Sequence, residues 1–178
     1  MGVSYCATCD GAFFRNRTVA IVGGGDTAVE DALFLSRICE RVYIIHRRDE
    51  FRAAKTYVRK AKETENVDLI LDSVVEEITG TDQVESIKVR NKKTDEVNEI
   101  DVDGVFIAIG NHPNSEVFKG IVDMDDEGYI IAGEEGRTNI PGVYAAGDIR
   151  TKHLRQVITA ASDGANVISS VEKYLNNL

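Results

Sequence analysis

Cys6 and Cys9, in the tract Cys6-Ala7-Thr8-Cys9-Asp10-Gly11, are two thiols three residues apart with a carboxylate beside the second. The spacing suits a disulfide that closes and reopens. Dithiol exchange needs a nucleophilic thiolate, a partner thiol and a group that moves the proton, and this tract holds all three. A structural zinc site would require a second ligand pair, whereas Cys39, His46, His112 and His153 are scattered, so no metal is expected. Three cysteines are also too few, and odd in number, for a secreted disulfide framework. Cys39, at the end of an apolar helical face, reads as a buried core thiol.

A second chemistry-bearing tract is Gly23-Gly24-Gly25-Asp26-Thr27-Ala28, which fits G-x-G-x-x-A between a strand and a helix. The first glycine would make the turn, the second would let a pyrophosphate approach the backbone, and Ala28 would let helix and strand pack closely. The anion would sit on the helix N-terminus. A glycine turn without a ligand is the plainer alternative. The following strand ends in His46-Arg47-Arg48, with Arg52 one helical turn on, where an NAD site usually carries a carboxylate for the ribose hydroxyl. Arginine forks match a 2'-phosphate instead, which favours NADPH over NADH. His46 either touches the cofactor or caps the strand.

These groups need elements to hold them. Thr18 to Val22 reads as a strand and about Thr27 to Cys39 as a helix. Thr27-Ala28-Val29-Glu30 is a candidate capping box, and Ala28, Ala32, Leu33, Leu35 and Ser36 form the packing stripe. Arg41 to Ile45 reads as a buried strand completing a βαβ unit. Glu50 to Thr64 reads as a basic helix. Strand-like pieces near 68–78, 84–90, 97–101 and 104–109 predict a three-stranded antiparallel insertion that returns to a last parallel strand. Gly110 to Asn114 breaks the pattern and is the expected domain boundary. Beyond it, short strands (129–132, 142–146), Gly147-Asp148 and a helix from about Arg155 to Leu175 are too few elements for a complete domain.

Composition bounds the function. A net charge of -9 speaks against a general nucleic-acid surface. Arg41 to Lys62 nevertheless holds eight Lys or Arg against Asp49 and Glu50 alone, which fits a phosphate grip or a solvated helix face. The longest apolar runs, Val42 to Ile45 and Val105 to Ile109, are far short of the roughly 20 residues that cross a bilayer, so the expected location is cytoplasmic.

Taken together, the cysteine tract, the glycine turn, His46-Arg47-Arg48-Asp49-Glu50-Phe51-Arg52-Ala53, Ala145-Ala146-Gly147-Asp148 and Arg155-Gln156 resemble bacterial low-molecular-weight thioredoxin reductase along the whole chain. The resemblance implies an α/β fold with a Rossmann-like FAD/NAD(P)-binding domain: 1–110 as an NADPH domain carrying the redox cysteines, and 111–178 as the C-terminal segment of an incomplete FAD domain. It implies that electrons pass from NADPH through FAD to Cys6-Cys9 and on to thioredoxin, in a homodimer. Cys9 would face the flavin, Cys6 would attack the partner and Asp10 would be the acid/base. Arg47, Arg48 and Arg52 would grip the 2'-phosphate; Gly147, Asp148, Arg155, Gln156 and Val157 would contact FAD. In that family on the order of a hundred residues supplying the first FAD half precede the cysteines, which puts FAD binding by this chain in question. An NADPH module without turnover, and a peroxidase-linked flavoprotein disulfide reductase, are the competing expectations; the arginines argue against a ferredoxin-fed relative.

Overall fold

A strand covered on both faces must be apolar along its length, and β2 (Thr18–Gly23) and β3 (Arg41–Ile45) meet that condition. In the computed structural model, which describes residues 1–178, they pair in parallel from Thr18 with Arg41 to Val22 with Ile45. The chain divides into two compact units, Met1–Gly110 and Asn111–Leu178.

In the first unit, β1 (Val3–Ser4), β4 (Val67–Ile70) and β8 (Gly104–Ala108) join β2 and β3 in one parallel sheet ordered β1-β8-β2-β3-β4. Alternation along β2 sends Val19 and Ile21 to one face and Ala20 to the other. On the first face α2 (Asp26–Leu35) and α3 (Lys55–Glu63) bury Ala28, Val29, Ala32, Leu35 and Ala61. On the second face lie Ile87 and Val89 of an antiparallel sheet made of β5 (Ser73–Thr79), β6 (Ser86–Asn91) and β7 (Val97–Asp101). Each fully buried Val, Ile or Leu contributes about 1.5–3 kcal/mol, so this double-sided core holds the cysteine and glycine segments in place. Cys39 is 6% exposed within it.

Several expected boundaries move, each because the backbone groups are engaged elsewhere. The second helix begins at Asp26 on Gly25, which has no side chain to cap with, so the expected capping box at Thr27 and Glu30 does not form. Glu30 instead faces Tyr57 and raises the pKa of its hydroxyl. The helix ends at Leu35 rather than Cys39, and the carbonyls of Ser36 and Cys39 accept from Asn66 Nδ2 at 2.9 and 3.1 Å. The basic helix spans Lys55–Glu63 rather than Glu50 to Thr64, because residues 50–54 fold back on the glycine turn. There Arg52 N–H donates to Gly24 O and Ala54 N–H to Asp26 Oδ1, both at 2.8 Å. The stretch near 68–78 is two strands in different sheets, broken at Asp72, whose φ is +52°.

Asp31, partly buried on α2, has its carboxyl raised from 3.8 to about 6 by burial and, secondarily, by Glu30. The native state therefore holds a proton that the unfolded chain has already released, and stability falls as pH rises between those values. Asp31→Asn is expected to raise the thermal midpoint above that window and to leave it unchanged below, as read by calorimetry at both ends.

In the second unit the expected strands at 129–132 and 142–146 are reduced to isolated bridges, Met124 with Ile130, Ile130 with Arg150 and Arg137 with Tyr144. The buried cluster there is small, Val122, Ile130, Ala132 and Ala145, too little apolar area to hold a longer ladder. The last helix, α4 (Val157–Leu175), starts two residues later than expected, at a reciprocal capping box in which Gln156 N–H donates to Thr159 Oγ1 at 3.1 Å. Gln before Thr inverts the usual order of that motif, so the sequence pattern did not reveal it.

Candidate active site

Cys6 and Cys9 form a disulfide with Cα atoms 5.3 Å apart. Parallel pairing of β1 with β8 carries the chain to Ser4; Cys6, in an extended conformation, then caps the single turn α1 (Ala7–Asp10). Cys9 N–H points at Cys6 Sγ at 3.2 Å, and Thr8 Oγ1 is 3.4 Å from the same sulfur. A donor aimed at one sulfur favours negative charge there when the pair is reduced. Ser4 is buried, and its hydroxyl donates to Asp10 Oδ2 at 2.7 Å. Cys39 stays out of this chemistry: burial, aided by the charge of Asp103, pushes its thiol up to about 11.

Beyond the end of β2 lies a cleft of about 440 Å³ lined by the glycine turn, Thr27, His46, Arg47 and Arg52. A Cβ on Gly23 would sit 2.2 Å from Ala108 O and 2.8 Å from Ala28 Cβ, so both positions need small residues for the strands and helix to approach. A Cβ on Gly25 would meet nothing within 4 Å, leaving that backbone open to a ligand. The first three N–H groups of α2, those of Asp26, Thr27 and Ala28, have no intrahelical acceptor and no capping side chain.

Gly24 answers to a different neighbour. Its added Cβ would lie 2.2 Å from the His46 ring. That ring is buried, stacks on Phe51 with centroids 5.3 Å apart, and places Nε2 3.1 Å from Glu50 O. Burial lowers the His46 pKa; the Glu50 carbonyl opposes the shift, and Arg48, Arg47 and Arg52 add to it, so a neutral ring wedges the glycine turn against the 50–52 loop. Arg47, Arg48 and Arg52 are exposed and form no ion pair, while Asp49 lies 3.5 Å from Lys93 Nζ. Arg47 and Arg52 line the cleft and Arg48 stands outside its lining.

In the second unit the Gly147 turn, at φ +83°, packs on α4: Gly147 N–H donates to Asp163 Oδ2 at 2.9 Å. Asp163 also takes a bidentate pair from Arg150, at 2.8 and 2.7 Å, and Lys152 Nζ at 2.9 Å, all three side chains being at most 6% exposed. The ion triad brings Gly147 and Asp148 beside the start of α4. Arg155 lies 3.9 Å above the Tyr129 ring, and its buried Nε has no hydrogen-bond partner. Val157 and Ile158 are 88% and 76% exposed. An orphaned donor beside bare apolar residues fits a surface that a large planar ligand covers.

A profile described as pyridine nucleotide-disulphide oxidoreductase matches residues 1–164. The chain belongs to that family. It is similar to the thioredoxin reductase of Peptoclostridium acidaminophilum, 49% identical over 98% of this chain and 57% of that protein. The crystal structure of thioredoxin reductase from Streptococcus pyogenes superposes with a TM-score of 0.93, at 46% identity over 99% of this chain and 58% of that one. A ferredoxin-flavin thioredoxin reductase from Clostridium acetobutylicum is more distant, at 28% identity and a TM-score of 0.52, covering 98% of this chain and 55% of that one. The chain thus spans a little over half the length of the curated relatives it matches. No helix in this family member is long and apolar enough to cross a membrane. No sequence pattern points to Ser4 or to the Asp163 triad, because their partners are brought together by the fold rather than by a motif.

Proposed function

We propose that the chain is the NADPH-binding and disulfide-bearing part of a cytoplasmic thioredoxin reductase. In that reading the Cys6–Cys9 disulfide would take electrons that originate on NADPH and pass them to a thioredoxin-like protein. The observation that carries this reading is the presence, in one unit, of a cysteine pair with an adjacent carboxylate and an open glycine cleft flanked by unpaired arginines.

Gly25 and the free N–H groups of Asp26, Thr27 and Ala28 receive a pyrophosphate, and Arg47 and Arg52 hold the 2'-phosphate, with Arg48 adding positive charge from outside the cleft lining. Gly23, Gly24 and His46 shape the turn. Gly147, Asp148, Arg155 and Val157 would form the part of the FAD surface that this chain supplies, with Gln156 capping the start of α4. FAD, when bound, supplies the two-electron relay between nicotinamide and disulfide. In the exchange step, Asp10 takes the proton of the Cys6 thiol, the thiolate attacks the partner disulfide, one new S–S bond forms as the old one breaks, and Asp10 returns the proton to the leaving thiolate. Cys9 then attacks Cys6 Sγ, releasing the second partner thiol and restoring Cys6–Cys9. A ferredoxin-fed reading is less well supported, since such an enzyme has no use for arginines at a 2'-phosphate.

The test is a calorimetric titration of the chain with NADPH and with NADH. NADPH is expected to bind on the order of 100-fold more tightly, because each charge-assisted contact contributes about 1.5–3 kcal/mol. Arg47→Ala and Arg52→Ala should each erode the preference by roughly tenfold, and added salt should narrow it. Equal binding of the two nucleotides, or none of either, would reject the reading.

A further inference from the structure

We infer that Ser4 is a positioning residue for the dithiol exchange, acting through Asp10; the inference rests on the reading of Asp10 as the proton-transferring group. Ser4 ends β1 and is 5% exposed, so its hydroxyl is fixed by the parallel pairing of β1 with β8 at Phe106. That hydroxyl has one proton and three neighbours. It accepts from Cys6 N–H at 3.1 Å, lies 3.4 Å from Cys6 O, and is 2.7 Å from Asp10 Oδ2. A carboxylate at 2.7 Å outcompetes a carbonyl at 3.4 Å for the proton. Ser4 therefore ties the backbone of the nucleophilic cysteine to the carboxylate that follows the second cysteine.

The tie matters because of where Asp10 stands. Asp10 closes a four-residue helical turn and is only partly buried, so its side chain has little packing to choose a rotamer for it. A hydrogen bond from a buried, strand-anchored hydroxyl fixes one carboxylate oxygen and leaves the other free to serve the leaving sulfur. Exchange transfers two electrons from the Cys6/Cys9 dithiol to the acceptor disulfide. The Cys6 sulfur bonds to one acceptor sulfur, the other leaves as a thiolate, and the proton it collects is the one that Asp10 has taken from the Cys6 thiol. Proton transfer requires the donor at hydrogen-bond distance from the leaving sulfur, so loss of orientation slows the step without changing which bonds form.

The experiment uses the full 178-residue chain, reduced and then mixed with a dialkyl disulfide, quenched by acid and alkylation and read by mass spectrometry, with no flavin or nucleotide needed. Ser4→Ala is expected to slow exchange roughly tenfold and Asp10→Asn roughly 100-fold. In the Asp10→Asn background Ser4→Ala should cost nothing further, a non-additivity that general structural damage would not give. Ser4→Thr, which keeps the hydroxyl, should recover most of the rate, and it covers the case in which the alanine variant does not fold. A wild-type rate in Ser4→Ala, effects that multiply in the double variant, or no recovery by Ser4→Thr would overturn the role of Ser4 while leaving that of Asp10 standing. A wild-type rate in Asp10→Asn would remove the acid/base reading itself, and the role of Ser4 with it.

Discussion

Cys9→Ser is expected to convert the chain from a dithiol reductant into a covalent trap. The Cys9 backbone N–H that faces Cys6 Sγ at 3.2 Å survives the substitution, so Cys6 keeps the donor that favours its thiolate. Cys6 then opens a partner disulfide and stops there. The remaining thiol, Cys39, is 6% exposed and raised to about 11 by burial and Asp103, and cannot resolve the adduct. Mixing the variant with an excess of oxidised thioredoxin should give one mixed disulfide per chain and no free reduced thioredoxin, on non-reducing gels and by mass. Cys6→Ser should give little adduct under the same conditions. Equal trapping by the two variants would mean that the attacking and resolving roles are not divided as proposed.

Asp163→Ala is expected to destabilise the second unit by about 3–5 kcal/mol, because it strands two buried cations. Arg150 and Lys152, at 3% and 6% side-chain exposure, share that one buried carboxylate; Glu134, which also reaches Arg150, is 84% exposed and cannot compensate. The Arg150 hydrogen bonds hold the Asp163 carboxyl far below the usual carboxylate range, against the desolvation that would raise it; Lys152 and the Gly147 N–H act in the same direction as Arg150. A depressed native value contributes stability above the unfolded carboxylate pKa and loses it only as pH falls through the native value. The triad should therefore persist through mild acid and fail only in strong acid. Urea unfolding of the wild-type and variant chains, with hydrogen exchange at Gly147 as the local readout, checks both statements. Replacing all three ionic residues with apolar ones of similar size should restore much of the loss. If Asp163→Ala costs less than about 1 kcal/mol, the triad is solvated in solution and does not hold the Gly147 turn.

The outcome at particular residues separates what was legible in the sequence from what was not. The β2 and β3 strands, the antiparallel insertion, the glycine turn between strand and helix, and the burial of Cys39 were all readable, because they follow from side-chain period and residue type along a few consecutive positions. The helix ends were not. Whether residues 50–54 join α3 depends on Gly24 O and Asp26 Oδ1, which lie 28 residues away in sequence and offer acceptors that the local pattern does not show. The same holds for the strands expected in the second unit, where the pattern was strand-like but too few buried neighbours exist to hold a ladder.

The candidate site divides along the same line. Residue types and spacing by themselves determined the cysteine pair, the glycine turn between strand and helix and the basic strand end, since each is a short tract of consecutive residues. Only the tertiary structure decided that Gly24 exists for His46, that Arg47 and Arg52 rather than Arg48 line the cleft, that Ser4 holds Asp10, and that Asp163 anchors the Gly147 turn. Those are pairwise contacts made by parallel strand register and helix packing. A hydrogen bond or a close approach depends on where the two backbones are carried, and no local pattern encodes that distance.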